Sequence, residues 1–213
     1  MMIFNPKYFP RSLITVFITS FMASSPLLVQ AQIPYALNVS NANGNFNYST
    51  IELGAAGIDI DNVEDTATAY YAEGRLEINE MAFVLGKMSK ANYRIANIET
   101  EHLLYEIGVG SHSSIDASTD LFGYVSLVQV NIENNASDTD DTGYKLGLGL
   151  RHHLNQNFDI ETQVDYTNLF DEGEFSGSIS GLMKVGNQFQ VGGTLDTEND
   201  STEVRAFARL GFL

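Results

Sequence analysis

The stretch TGYKLGLGLRHHL, residues 142–154, alternates between two kinds of side chain almost without exception. One set contains a tyrosine and three leucines, and the other contains two glycines, a lysine and an arginine. Side chains of a β-strand point to opposite faces with a period of two, so this segment predicts a strand with one apolar and one polar face. The apolar face either fills the core of a soluble sandwich or contacts lipid around a membrane barrel.

The first 31 residues predict a cleaved secretory signal peptide. MMIFNPKYFPRS carries two basic residues and no acidic one, and the apolar run LITVFITSFMA follows it. Val29 and Ala31 then provide a cleavage position after Ala31. An uncleaved anchor is the alternative, but a Ser-Ser-Pro sequence ends the apolar run short of a membrane span. The predicted domains are therefore a signal peptide at 1–31 and an exported domain at 32–213.

The chain is strongly acidic, which excludes one class of partner. Its 213 residues include 11 lysines and arginines against 27 aspartates and glutamates, a formal net charge of −16. Surfaces that bind nucleic acids neutralise phosphates with Lys and Arg, so we expect no nucleic-acid partner. The absence of cysteine is compatible with export, because disulfides are needed mainly by small domains.

Ten candidate strands fill the rest of the chain, separated by clusters of Gly, Asn, Asp and Ser. Their predicted ranges are 45–58, 68–78, 81–88, 102–112, 119–133, 142–153, 157–169, 174–185, 188–197 and 202–213. The odd-numbered connections, such as DIDNVEDTA, SKANYRIANIETE and NNASDTDD, are mostly longer and acidic. The even-numbered connections are mostly short and nearly neutral. An up-and-down sheet would therefore have an acidic end and a plain end, like an outer-membrane barrel with short periplasmic turns.

Large aromatic residues of the apolar face fall near strand ends, with aliphatic residues and glycine between them. Two belts of aromatic residues with an aliphatic band between them match the two interfaces of a bilayer. A water-excluding core would instead favour bulky side chains at its centre. We predict that these aromatic residues lie at the membrane interfaces: Phe46, Tyr70, Tyr105, Phe122, Tyr144, Phe158, Tyr166, Phe175, Phe189 and Phe212.

The predicted fold is an all-β, closed, antiparallel up-and-down transmembrane β-barrel. Ten strands are expected, with eight as the alternative count, and an exported soluble barrel or sandwich is the alternative architecture. Strands of this length suit a tilted bilayer crossing, which needs about 9–11 residues. The barrel must be closed, because an open strand edge would leave backbone N–H and C=O groups unsatisfied in lipid.

The polar faces of these strands would then line the lumen. The interior of a ten-stranded barrel is only modestly wider than that of an eight-stranded one, which side chains fill. An isolated charge removed from water costs several kcal/mol, so we predict ion pairs that plug or narrow the lumen. The predicted network contains Glu73, Arg75, Glu77, Glu106, Lys145, Arg151, Asp159, Glu161, Asp165, Lys184, Arg205 and Arg209. Lys87 shares this face, whereas Lys90 and Arg94 are assigned to a loop.

The signal peptide, the strand TGYKLGLGLRHHL followed by NFDIETQVDYTNLF, and the closing EVRAFARLGF together resemble a known family. They are similar to the small outer-membrane β-barrel proteins of Gram-negative bacteria, the porin-like or OmpA-type transmembrane barrels. The resemblance covers roughly residues 33–213. It implies an integral outer-membrane location with both termini in the periplasm. It also implies recognition by an assembly machinery that reads a last strand usually ending in Phe, whereas here Leu213 follows Phe212.

These observations predict a structural barrel or a narrow, cation-preferring porin-like passage, with no catalytic residue, cofactor or bound metal. The resemblance also suggests omptin-like proteases as an alternative, with His102 beside Glu99 and Glu101 at the acidic rim. His112 and His153 are expected to point inward, without a partner that the sequence identifies.

The acidic loops allow a third reading, an adhesin or cation-binding surface barrel. DIDNVED and NNASDTDD offer hard oxygen ligands for Ca²⁺ or Mg²⁺, although neither has the spacing of an EF-hand loop. A solvated acidic rim is the simpler interpretation. The hypothesis is that the rim binds outer-membrane lipid and lipopolysaccharide through divalent cations.

Overall fold

The computed structural model describes residues 46–60, 66–95, 98–134, 138–199 and 201–212. The predicted signal peptide lies outside these residues. Within them, no helix is long and apolar enough to cross a membrane.

Ten antiparallel strands form a closed barrel. They are β1 (Thr50–Ile60), β2 (Ala67–Asn79), β3 (Ala82–Ile95), β4 (Ile98–Asp116), β5 (Thr119–Asn134), β6 (Asp138–His153), β7 (Phe158–Leu169), β8 (Glu172–Lys184), β9 (Phe189–Glu198) and β10 (Ser201–Gly211). Each strand pairs with the next, and β1 pairs with β10 from Thr50↔Gly211 to Ile60↔Ser201. The predicted up-and-down barrel is confirmed, with ten strands rather than eight.

Strands β3 and β4 extend well beyond their predicted limits. The segment SKANYRIANIETE was expected to be a loop, but most of it belongs to these two strands, which remain paired up to Ile95↔Ile98. Lys90 therefore lies in a strand, and its Nζ is 2.6 Å from Glu101 Oε2. The loop prediction was wrong because charged residues in a projecting hairpin can remain in solvent while the backbone ladder continues.

The apolar face of TGYKLGLGLRHHL points away from the barrel axis. Leu146 and Leu148 are 46% and 59% exposed, whereas Lys145 lies on the inner face. Many aliphatic side chains around the cylinder are exposed in the same way, among them Ile51, Leu53, Ile107, Val109, Leu127, Val164, Ile179, Leu195, Val204 and Leu210. A continuous apolar outer band on a closed barrel is the surface that a bilayer requires.

Most of the predicted interface aromatics lie on the outer face. Six are exposed to a large degree: Tyr70, Tyr105, Tyr144, Phe158, Phe175 and Phe189. Tyr166 and Phe212 are half-buried, and the Tyr166 ring packs 5.0 Å from that of Phe175.

Phe46 and Phe122 contradict the interface prediction. They are only 6% and 1% exposed, and they pack together with Tyr48 and Phe83 inside the barrel. Strand β5 has apolar residues on both faces, with Val128 also buried, so its sequence shows no clean alternation. Phe46 precedes β1 but continues its inner phase, together with the buried Tyr48, Thr50 and Glu52.

Inward-facing glycines accommodate aromatic rings from the neighbouring strand. The pairs are directly opposite in the strand register: Gly54 and Tyr71, Gly110 and Phe83, Gly147 and Tyr124, Gly149 and Phe122, and Gly192 and Phe207. A Cβ added at any of these glycines would collide with the opposing ring. The two glycines in YKLGLGL therefore leave space for aromatic rings inside the barrel, and we call such glycines sockets. This arrangement lets large side chains fill a narrow interior.

Candidate functional site in the barrel interior

Glu161 of β7 is the centre of a buried ion-pair cluster. Its carboxylate lies 3.4 Å from Arg209 Nη1, 3.6 Å from Arg151 Nε and 3.7 Å from Arg75 Nη2. All four side chains are almost fully enclosed, with at most 12% of any one accessible. Buried charges in such an environment need opposite charges nearby, and here one carboxylate is shared by three guanidinium groups. We call these four residues the Glu161 cluster.

The Glu161 cluster joins opposite walls of the barrel. In the ring of ten strands, β2 and β7 are five positions apart in either direction, so they face each other across the lumen. The 3.7 Å contact between Arg75 on β2 and Glu161 on β7 therefore bridges the lumen from wall to wall. An open water-filled channel does not pass between these two groups in this structure.

Glu52 and Glu73 extend the cluster along β1 and β2. Glu52 Oε2 accepts a 2.7 Å hydrogen bond from Arg209 Nε, and Glu52 Oε1 accepts one of 2.8 Å from the Tyr71 hydroxyl. Glu73 Oε1 accepts a 2.9 Å hydrogen bond from Arg75 Nε. Glu52 was absent from the predicted network. The period-two phase of β1, which places Thr50 and Glu52 on the inner face, could have identified it.

A second group surrounds Lys145. Its Nζ lies 3.7 Å from Asp165 Oδ2 and 4.0 Å from Glu106 Oε2. Both carboxylates also accept shorter hydrogen bonds from hydroxyl groups, 2.8 Å from Tyr124 and 2.6 Å from Ser126. The neutral donors thus share with the lysine the task of stabilising these carboxylates.

A third group lies around Asp159 near the plain end. Its carboxylate contacts His153 Nδ1 at 2.6 Å and Lys184 Nζ at 3.2 Å, and it accepts a 3.0 Å hydrogen bond from Gln190. His153 therefore has a carboxylate partner that the sequence did not reveal. Asp159 Oδ1 lies between the histidine and the lysine.

The remaining predicted charges form smaller groups. Arg205 pairs with Asp196 at 3.0 Å and with Glu203 at 3.3 Å. Lys87 lies over the Tyr71 ring, 5.6 Å from its centroid, and has no carboxylate oxygen within 4.0 Å among the described residues. The twelve predicted network residues are thus distributed over several groups and do not form one continuous chain of ion pairs.

An aromatic and histidine layer fills the plain end of the interior. The rings of Tyr48 and His112 stack at 4.0 Å, and Phe83 lies 5.4 Å from Tyr48. His112 Nε2 lies 3.2 Å from a Glu77 oxygen, so this predicted network member contacts the histidine rather than an arginine. Tyr48 is completely buried. Tyr48 has the same period-two phase as Thr50 and Glu52, so the alternation of the predicted strand 45–58 could have placed it inside.

The structure separates His102 from the acids beside it in the sequence. His102 is directly opposite Ala91 and Ile132 in the register and lies on the inner face with Thr100. Glu99 and Glu101 lie on the outer face, because successive strand residues point to opposite sides. Among the described residues, no group of three or more His, Asp or Glu side chains is arranged to hold a metal ion.

The comparisons with known proteins find similarity to solved structures. The NanC porin matches with a TM-score of 0.50 at 8% identity, over 76% of this chain and all of that one. The β domain of the Bordetella autotransporter BrkA matches with a TM-score of 0.49 at 10% identity, over 76% and 98% of the two chains. The attachment invasion protein Ail of Yersinia pestis matches with a TM-score of 0.42 at 16% identity, over 76% and 95%. No family model and no curated protein sequence matches this chain.

The likeness to the NanC porin, together with the closed ten-stranded ring, shows that this chain has a porin-like β-barrel fold. The apolar outer band agrees with a membrane location. The interior of this barrel presents charged groups in pairs and aromatic rings in sockets.

Proposed function

We propose that this protein is a narrow porin-like barrel whose lumen is closed at rest and opens to small cations when the Glu161 cluster rearranges. The observation that carries this proposal is the wall-to-wall contact between Arg75 and Glu161. Two features support a cation preference. The whole chain has a net charge of −16, and at the acidic end the inward-facing carboxylates of Asp196, Glu198 and Glu203 lie near the rim. A cleft lined by one sign of charge concentrates ions of the opposite sign.

Planar-bilayer recording tests the passage. The unmodified protein should show rare, small openings, and Glu161→Ala should increase the open time or the conductance because Arg75 loses its partner across the lumen. Glu80→Gln is the matched control, since Glu80 is an exposed residue in the turn between β2 and β3 at the plain end. Large, steady conductance that Glu161→Ala does not alter would contradict the closed resting state. Silence of both proteins at every voltage would contradict a passage and favour a structural barrel.

We further propose that the acidic end faces outward from the cell and both mature termini face the periplasm. β1 begins and β10 ends at the plain end, beside the short turns, which is the usual arrangement in outer-membrane barrels. The chain has no cysteine, so a single introduced thiol is unique. In intact cells an impermeant maleimide should label Asp171→Cys but not Asn155→Cys. The reverse pattern would invert the orientation.

The same orientation underlies two proposed partners. The assembly machinery would read β10 and Phe212, which is followed by Leu213. Lipopolysaccharide phosphates would bind through divalent cations to carboxylates on the outer face, where Glu101, Glu133 and Asp138 share one row across β4, β5 and β6. Calcium titration of the purified barrel should give a heat that Glu133→Gln with Asp138→Asn reduces. Heat that reflects only nonspecific screening would reject the bridge.

We assign no catalytic activity to the barrel. The omptin-like alternative needs a histidine and carboxylates at one rim site, and His102 lies on the opposite face of β4 from Glu99 and Glu101. If the purified protein cleaved a peptide and His102→Ala abolished that cleavage, the assignment would fail.

A further inference from the structure

An apolar groove with a volume of about 820 Å³ crosses the outer face of the sheet from β1 to β6. Gly74 on β2 and Gly86 on β3 are directly opposite each other in the register. Ile51 and Ile107 stand on either side of this glycine pair. Because the two glycines carry no side chains, the surface sinks to the backbone between two aliphatic ridges.

Most of the residues that line the groove have the outward phase of their strands, among them Leu76, Leu127 and the exposed Tyr144. Inward-phase residues such as Arg75 and Glu106 alternate with them along the same strands, and Phe212 lies at the plain end. The groove is therefore continuous with the exposed aliphatic surface that contacts lipid, and hydrocarbon is the medium that reaches it.

We propose that this groove binds one acyl chain of a bilayer phospholipid and retains it more firmly than the surrounding lipid. Apolar burial drives little association inside a membrane, where van der Waals packing decides which surfaces stay together. A flat lipid layer over the groove would leave a void whose walls lose their dispersion contacts, and a flexible methylene chain lying in the groove restores them. The proposal rests on the membrane location and is independent of whether the lumen opens.

Two leucines at the groove floor test the proposal. A Cβ at Gly74 or Gly86 would approach nothing nearer than backbone oxygens at 4.0 Å and 3.7 Å, so Gly74→Leu with Gly86→Leu should fold. Gly177→Leu with Gly181→Leu is the matched control. These glycines lie on the outer face of β8, and nothing lies within 4 Å of a Cβ at either position.

The probe is phosphatidylethanolamine added to the purified barrel in detergent, with retained lipid counted by native mass spectrometry. We expect the groove variant to lose roughly tenfold in bound lipid at a given concentration, whereas the control variant matches the unmodified protein. Heat-modifiable gel migration of all three proteins verifies folding.

Two results would overturn the assignment. Equal lipid retention by the two variants would show that the groove is not the site. A dimer of the unmodified protein that the groove variant dissociates would identify a second copy of the chain as the occupant.

Discussion

At the scale of single residues, Glu161 has more cationic partners than any other carboxylate among the described residues. Arg75 also has Glu73 and Arg209 also has Glu52, but Arg151 has no carboxylate other than that of Glu161 within 4.0 Å among the described residues. The loss of Glu161 therefore leaves one buried guanidinium without an opposite charge.

We expect Glu161→Gln to destabilise the folded barrel by about 3 kcal/mol, the lower end of the cost of breaking a buried ion pair. Urea unfolding of the barrel in lipid vesicles measures this change. Glu203→Gln is the control. The Glu203 side chain is 30% exposed and Arg205 retains Asp196, so the cost should stay below about 1 kcal/mol. Equal effects of the two substitutions would refute the central role of Glu161.

At the scale of strands, the glycine sockets couple neighbouring elements. A Cβ at Gly149 would overlap the ring of Phe122 on β5 and come within 2.6 Å of the Thr162 carbonyl oxygen on β7. β6 is therefore confined between a ring and a backbone. This explains why the inner face of TGYKLGLGLRHHL has glycine at positions 147 and 149.

Gly149→Val should destabilise the barrel by about 1–3 kcal/mol, the usual cost of overpacking an interior. Gly181→Val, on the open outer face of β8, should change stability by less than about 0.5 kcal/mol. Adding Phe122→Ala to Gly149→Val should recover part of the loss, because the two residues are in contact. Heat resistance of the folded form in SDS gels ranks the variants. Equal loss at Gly149 and Gly181 would mean that strand glycines matter for their backbone rather than for the sockets.

At the scale of the whole molecule, the distribution of surface types is inverted relative to a soluble protein. Aliphatic side chains cover the outside, and paired charges with aromatic rings fill the inside. A closed ring of ten strands leaves no unpaired strand edge, so the backbone requirement of a bilayer is met.

A chain of residues 32–213, which lacks the predicted signal peptide, should therefore need detergent to stay monodisperse and should migrate faster in SDS gels before heating than after. The closed ladder keeps the unheated barrel compact in the detergent, whereas heating unfolds it. When cells are fractionated, the protein should be recovered with the outer membrane. A protein that remains monomeric in plain buffer would contradict the outward placement of the apolar band.

The sequence alone determined the fold class, the number of strands and the facing of most side chains. Alternation with a period of two is a local property, so Leu148 could be assigned to the outside and Glu161 to the inside without knowing any partner. The assignment failed where a strand is apolar on both faces, as around Phe122, and at Phe46, because the inner face of the first predicted strand begins with two aromatic residues, Phe46 and Tyr48.

Only the tertiary structure decided which interior charges meet. The contact between Arg75 and Glu161 joins strands that are five positions apart, and it depends on the barrel circumference and on the stagger of all ten strands. Neither quantity is encoded in the alternation of any one segment, because each strand pairing contributes a small shift that only closure of the ring adds up.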